Sequence, residues 1–91
     1  MATKGRVLLV GKRERVLDRL AEALRAEGLQ VREETDFDRV RTNVDGSTID
    51  VLALGRAVTG ARRERLVAAL RARNPGLRVV DGLAPITPLL V

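Results

Sequence analysis

Short, nearly continuous apolar runs alternate along the chain with longer stretches in which apolar residues return every three or four positions. The first run spans residues 6–10 and ends at Gly11, a pattern typical of a strand buried on both faces of a parallel sheet. Residues 12–26 then carry an apolar stripe at helical spacing, and Gly28 follows as a helix stop signal. The first two predicted elements are therefore a strand and a helix.

The same alternation continues through the middle of the sequence. Within residues 29–34, Leu29, Val31 and Glu33 alternate with Gln30 and Arg32, which indicates a second, more exposed strand at a sheet edge. Asp36 is suited to cap a short helix over residues 37–44. The Asp-Gly-Ser sequence at residues 45–47 ends that helix.

Two further strands and one helix are predicted in the second half. Residues 49–54, apolar except for Asp50, indicate a central strand. A third helix starts at Thr59 or Gly60 and ends before the Asn-Pro-Gly sequence at residues 74–76, and residues 77–80 form a fourth strand. Strands that alternate with helices favour right-handed βαβ units, and hence an α/β fold with an open parallel sheet and helices on both faces.

Composition narrows the chemistry available to this chain. Its 91 residues, 45% apolar and 32% charged, suit a single domain. It contains no Cys and no His, Phe37 is its only aromatic residue, and Ser47 is its only serine. These counts exclude disulfides, zinc and thiolate metal sites, a Ser-His-Asp hydrolase and an aromatic base-stacking surface. We therefore expect a protein that is not an enzyme, with no catalytic residues, no metal and no cofactor.

Hydropathy and charge indicate the surroundings of the chain. No apolar stretch approaches the roughly 18 residues of a membrane-spanning helix, and residues 1–5 are too short and polar for a secretory signal. We expect a cytoplasmic protein that does not bind membranes. The net charge of +5 favours anionic partners, although the predominance of Arg over Lys is also typical of a GC-rich genome.

Four segments resemble the receiver domain of bacterial response regulators, which has the flavodoxin-like fold of the CheY family. They are VLLV at residues 7–10, LRAEGLQV at 24–31, DVLAL at 50–54 and LRARNPGLRVV at 70–80. Their spacing matches the family from residue 6 to about residue 84. The resemblance implies a sheet with strand order 2-1-3-4.

The residues that carry receiver chemistry are replaced in this chain. The acidic pair that holds a divalent cation corresponds to Gly11 and Lys12, the phosphorylated Asp to Gly55, and the hydroxyl residue after the fourth strand to Leu83. Cation binding needs carboxylate oxygens and phosphoryl transfer needs a nucleophile. The resemblance therefore implies a pseudo-receiver, degenerate at its active site and shortened at its C-terminus.

The same resemblance assigns residues 1–83 to one receiver-like domain, without the usual last helices, and residues 84–91 to an apolar C-terminal tail. Right-handed crossovers place the first helix alone on one face of the sheet. One helix, about 10 Å wide, is narrower than four strands spaced about 4.8 Å apart. We therefore expect side chains from residues 51–54 and 79–80 to meet water on that face.

An exposed fourth strand and an apolar tail predict a homodimer, formed by edge pairing, tail exchange or face-to-face packing. The residues expected at this contact are Val79, Val80, Ile86, Leu89, Leu90 and Val91. Two alternatives stay open. The tail folds back over its own domain as cover or as an edge strand, or it contributes nothing to the fold.

Basic residues are expected around the crevice at the carboxyl ends of the strands, where open α/β sheets bind ligands. The candidate anion-binding residues are Lys12, Arg13, Arg56, Arg62 and Arg63. Positive helix N-termini beside them favour an anion. Glu14, Asp36 and Asp81 lie on the same rim and oppose it.

Two function classes follow from these observations. The first is a non-catalytic, receiver-like interaction or regulatory module that acts on a protein partner without phosphorylation. The second is a small Rossmann-like protein that binds a nucleotide or phosphate in the basic crevice. The dinucleotide version of this second class has little support, because only Gly11 of a G-x-G-x-x-G motif is present and Asp36 is equally suited to cap a helix. We do not expect the chain to bind nucleic acid, since the Arg residues of the third helix are interrupted by Glu64.

Overall fold

The strands pair into one parallel sheet in the computed structural model, which describes residues 5–55 and 58–81. The elements are β1 (Arg6–Val10), α1 (Glu14–Ala26), β2 (Gln30–Glu34), α2 (Phe37–Asn43), a 3₁₀ helix (Gly46–Thr48), β3 (Val51–Leu54), α3 (Gly60–Arg71) and β4 (Arg78–Asp81). The sheet order is β2-β1-β3-β4, and every pairing is parallel. The α/β class and the strand order are confirmed, and they fit a flavodoxin-like fold.

Two hydrophobic cores lie on the two faces of the sheet, because successive strand residues point in opposite directions. Leu8 and Leu52 belong to the core under α2 and α3, whereas Val7 and Val51 belong to the core under α1. The helices contribute Val40, Leu66, Val67 and Leu70 to the first core and Leu17, Ala21 and Leu24 to the second. The predicted distribution of one helix against two is therefore confirmed.

The expectation that β3 and β4 expose apolar side chains to water is wrong. Residues 51–54 are buried, Val80 is 6% exposed and Val79 is half-buried. Ala53, on the α1 face, pairs in register with Leu9 on one side and Val80 on the other. The burial of Ala53 and Val80 shows that the width of α1 alone does not decide exposure on this face.

The element boundaries agree with the sequence pattern to within two residues. α1 begins at Glu14 rather than at Lys12, because Arg13 has an extended backbone and is the N-cap. Gly28 has a φ of +91° and its N–H donates to the carbonyl of Arg25, which ends α1 as expected. Residues 45–47, predicted as a break, lead into the 3₁₀ helix rather than an irregular loop.

An ion pair joins β1 and β3 at their amino-terminal ends. The guanidinium of Arg6 donates to both carboxylate oxygens of Asp50, at 3.2 and 3.0 Å. The backbone N–H of Arg6 also donates to Asp50 at 2.8 Å. These donors lower the pKa of Asp50, and the side-chain hydrogen bond from Arg6 is the largest cause.

Helix length and polarity determine whether a segment can cross a membrane. Across residues 5–55 and 58–81, every helix is too short or too polar to cross a bilayer.

Candidate functional site

The carboxyl ends of β1 and β3 meet where a receiver would hold its reactive groups. The N–H of Gly55 donates to the carbonyl of Val10 at 2.8 Å, and a Cβ atom on Gly11 would lie 3.8 Å from the Cα of Gly55. The two glycine positions are therefore neighbours, and neither carries a side chain for cation or phosphoryl chemistry. Leu83, which corresponds to the receiver's hydroxyl residue, lies outside the described residues.

Lys12 and Arg13 are exposed in the loop between β1 and α1. The carbonyl of Arg13 accepts from the N–H groups of the first turn of α1, while its side chain makes no capping bond. Acidic residues dominate the surface next to this loop. A concavity of about 170 Å³ is lined there by Glu14, Leu17, Asp18, Glu33, Glu34 and Thr35. The α1 side of the predicted basic crevice is therefore acidic.

The pKa of Glu33, which lines this acidic concavity, is raised. Its burial raises the pKa of the carboxyl, and the hydrogen bond and negative charge of Asp18 raise it further. Arg25 opposes the shift from a distance of 3.8 Å. The guanidinium of Arg25 also donates to the carbonyl of Val31 at 2.9 Å, which satisfies an acceptor on the edge strand β2.

Arg63, a candidate for anion binding, pairs instead with Asp81 at the end of β4. Its Nε donates to one carboxylate oxygen at 2.7 Å and a terminal nitrogen donates to the other at 3.0 Å. This bidentate pair lowers the pKa of Asp81. It ties α3 to β4 and leaves Arg63 less available to an external anion. Arg56 lies outside the described residues.

Arg62 occupies a different surface from Arg63, although the two residues are adjacent in sequence. Its guanidinium carbon lies 5.1 Å from the centroid of the Phe37 ring, within the range of a cation–π contact. The two side chains line a groove of about 300 Å³ between α2 and α3. Its lining residues are Phe37, Asp38, Arg41, Arg62, Arg65 and Leu66, and we call it the α2–α3 groove.

The electrostatics of the α2–α3 groove are predominantly positive. Arg41 lies 3.7 Å from Asp38, in an exposed pair that water screens strongly. Within the described part of the chain, no carboxylate pairs with Arg62 or Arg65. The first turn of α3 contains no acidic residue, so its positive end adds to the field of the guanidinium groups.

The sequence pattern identified only part of this groove. Arg62 is a candidate anion-binding residue on the sequence alone, whereas neither Phe37 nor Arg65 is singled out there as a site residue. The signal in the sequence is the spacing of Arg62 and Arg65, which places both on one side of a helix. Their proximity to Phe37 depends on tertiary packing.

The predicted oligomer contact is only partly described. Val79 packs against the core under α2 and α3, and Val80 belongs to the core under α1. Both side chains therefore support the fold. Among the described strands β4 pairs with β3 alone and lies at the edge of the sheet. Ile86, Leu89, Leu90 and Val91 lie outside the described residues.

Comparison with known proteins yields no family for this chain. No model of a known protein family matches the sequence, and no curated protein matches it. The resemblance to receiver domains therefore stays a prediction, and the site geometry carries the functional interpretation.

Proposed function

We propose that this chain is a non-catalytic, receiver-like interaction module that regulates a partner protein by contact and without phosphorylation. The observation that supports it best is the α2–α3 groove. Arg62 and Arg65 lie there beside the half-buried ring of Phe37, with no carboxylate partner among the described residues. Exposed Arg beside an aromatic side chain is the composition that protein-binding surfaces favour.

The alternative, a nucleotide- or phosphate-binding crevice, has less support from the same geometry. The exposed Lys12 and Arg13 precede the acidic concavity that contains Glu14 and Glu34. Arg63 is paired with Asp81. The basic side chains expected to converge on one anion are therefore divided between different neighbours.

Two further properties belong to this proposal. The first is homodimerisation, which the edge position of β4 supports among the described strands. Sedimentation of the full chain at micromolar concentration tests it, and we expect a dimer that loses stability when residues 84–91 are deleted. A monomer with unchanged melting temperature after the deletion would contradict homodimerisation. The second property is a cytoplasmic location.

Thermal unfolding with small ligands separates the two function classes. For an interaction module we expect ATP, ADP and inorganic phosphate to shift the melting temperature no more than sodium chloride at equal ionic strength. A saturable, nucleotide-dependent rise that disappears in the Arg56→Ala variant would support the crevice instead. Incubation with acetyl phosphate and magnesium should leave the mass unchanged, and a phosphoryl adduct would overturn the proposed function.

A further inference from the structure

The guanidinium groups of the α2–α3 groove come from two helices and border one opening. Arg62 and Arg65 are three residues apart on α3, so they project from the same side of that helix. Arg41 lies in the last turn of α2 and lines the same groove. Guanidinium groups bind carboxylates through two parallel hydrogen bonds, so this arrangement suits several carboxylates on one ligand.

The contact between Arg62 and Phe37 prepares the groove for such a ligand. A guanidinium that lies over an aromatic ring keeps its N–H donors in its own plane, where they stay free to meet an acceptor. The ring also restricts the movement of a long side chain, which lowers the entropy that binding would cost. Phe37 is only half-buried, so part of its ring stays open to an apolar side chain of the ligand although Arg62 lies over one face.

The groove suits a peptide better than a nucleic acid. Base stacking needs an open aromatic face, whereas Arg62 already lies over the Phe37 ring. The side chain of Asp38 is 91% exposed at the rim and repels a continuous line of phosphates. A peptide can place neutral residues next to Asp38 and acidic residues next to the arginines, since its charges need not be evenly spaced.

We propose that the α2–α3 groove binds an acidic peptide segment of a partner protein, with carboxylates on Arg41, Arg62 and Arg65 and an apolar side chain against Phe37. The proposal rests on the proposed function, because it names the partner chemistry of the same surface. It assigns no role to Arg63, whose donors are engaged by Asp81.

Fluorescence anisotropy with a labelled peptide tests this assignment. The probe is a short Asp/Glu-rich peptide with one central Leu, and its control has Asn and Gln in place of the acids. We expect the acidic probe to bind, the neutral control to bind at least about tenfold more weakly, and a Leu→Gly probe to lose affinity as well. Comparable binding of the acidic and neutral probes would overturn the proposal.

Matched variants locate the contact on the protein. Arg62→Gln with Arg65→Gln removes two charges from the groove, while Arg15→Gln with Arg19→Gln removes two from the exposed surface of α1. We expect about a tenfold loss of affinity for the first pair and less than about twofold for the second. Equal losses would mean that net charge alone attracts the probe and would overturn the proposal. Thermal unfolding of each variant confirms its fold, and Arg65→Ala alone gives the same comparison if the double variant is unstable.

A single-stranded oligonucleotide of equal charge completes the experiment. Tighter binding of the oligonucleotide than of the peptide, with the same dependence on Arg62 and Arg65, would overturn the peptide assignment and the protein-contact function together. Absence of peptide binding with no response to nucleotides would overturn only the acidic-peptide assignment and leave the proposed function standing. We expect the peptide to bind more tightly than the oligonucleotide.

Discussion

Gly46 lies directly against the backbone of Leu70, and through this contact the 3₁₀ helix packs on the last turn of α3. A Cβ atom on Gly46 would overlap the carbonyl oxygen of Leu70 and lie 2.8 Å from its carbonyl carbon. Asn74 strengthens the same junction, because its side-chain amide donates to the carbonyl of Ile49 at 2.8 Å. The position therefore requires a residue without a side chain.

Replacement of Gly46 should destabilise the fold severely. We expect Gly46→Ala to lower the free energy of unfolding by at least about 2 kcal/mol, since the obstacle is backbone and cannot rotate away. Urea denaturation measures the loss. Gly76→Ala is the matched control, because an added Cβ there would meet only the side chain of Asn74 at 3.7 Å. Similar effects of the two substitutions would contradict the close packing at Gly46.

The cap of α2 links stability to the proposed groove. The side chain of Asp36 accepts hydrogen bonds from the N–H groups of Asp38 and Arg39, at 3.1 and 3.2 Å. We expect Asp36→Ala to cost about 1 kcal/mol in unfolding free energy and Asp36→Asn to retain most of it. Because α2 carries Phe37 and Arg41, Asp36→Ala should also weaken binding of the acidic peptide. Unchanged stability in the alanine variant would exclude a capping role.

Acid should destabilise the protein through Asp50 and Asp81. The hydrogen bonds from Arg6 and Arg63 hold the pKa of each carboxyl below its ordinary value. A lowered pKa in the folded state stabilises the fold above the unfolded pKa of about 3.9, and the contribution is lost as the pH falls through the folded pKa. We expect urea denaturation from pH 7 to pH 2.5 to show a decline that begins near pH 4.

Variants isolate the source of this decline. Asp50→Asn combined with Asp81→Asn should be less stable than the wild type at pH 7 and should lose less stability between pH 4.5 and pH 2.5. A double variant with the same pH dependence as the wild type would assign acid sensitivity to other carboxyls.

Ionisation of Glu33 should destabilise the fold, in contrast to ionisation of Asp50 and Asp81. Burial and the nearby Asp18 raise its pKa, so the ionised carboxyl opposes folding at neutral pH and the opposition disappears when the carboxyl is protonated. We expect Glu33→Gln to raise the melting temperature at pH 7 by about 2 °C. The gain should shrink toward pH 4. Glu22→Gln on the exposed side of α1 should have no such effect, and a fall in stability for Glu33→Gln would contradict this account.

The period of the apolar positions was sufficient to predict the alternating strands and helices of a parallel sheet, but not the site; the strand order came from the resemblance to receiver domains. Leu8 and Leu52 lie in unbroken apolar runs, which indicate buried parallel strands whatever their neighbours are. Arg62 and Arg63, in contrast, are adjacent residues that point about 100° apart on α3, so one reaches Phe37 and the other Asp81. Those partners are distant in sequence, and the helical period alone does not identify them.

The charge around the crevice could not be predicted for the same reason, because it depends on which strands pair. Lys12 and Arg13 suggest a basic loop when only their own segment is considered. The register of β1 with β2 places Val10 opposite Glu34 and Leu9 opposite Glu33, which adds carboxylates to the same edge. The sequence contains these residues but not the distances between them.

Binding of an acidic segment in the proposed α2–α3 site can be located by titrating the ¹⁵N-labelled full chain with the acidic peptide and following the amide chemical shifts. We expect the largest shifts at residues 37–43 and 60–71 and little change at residues 14–26 of α1. Shifts concentrated on α1, or spread evenly over all exposed arginines, would contradict it.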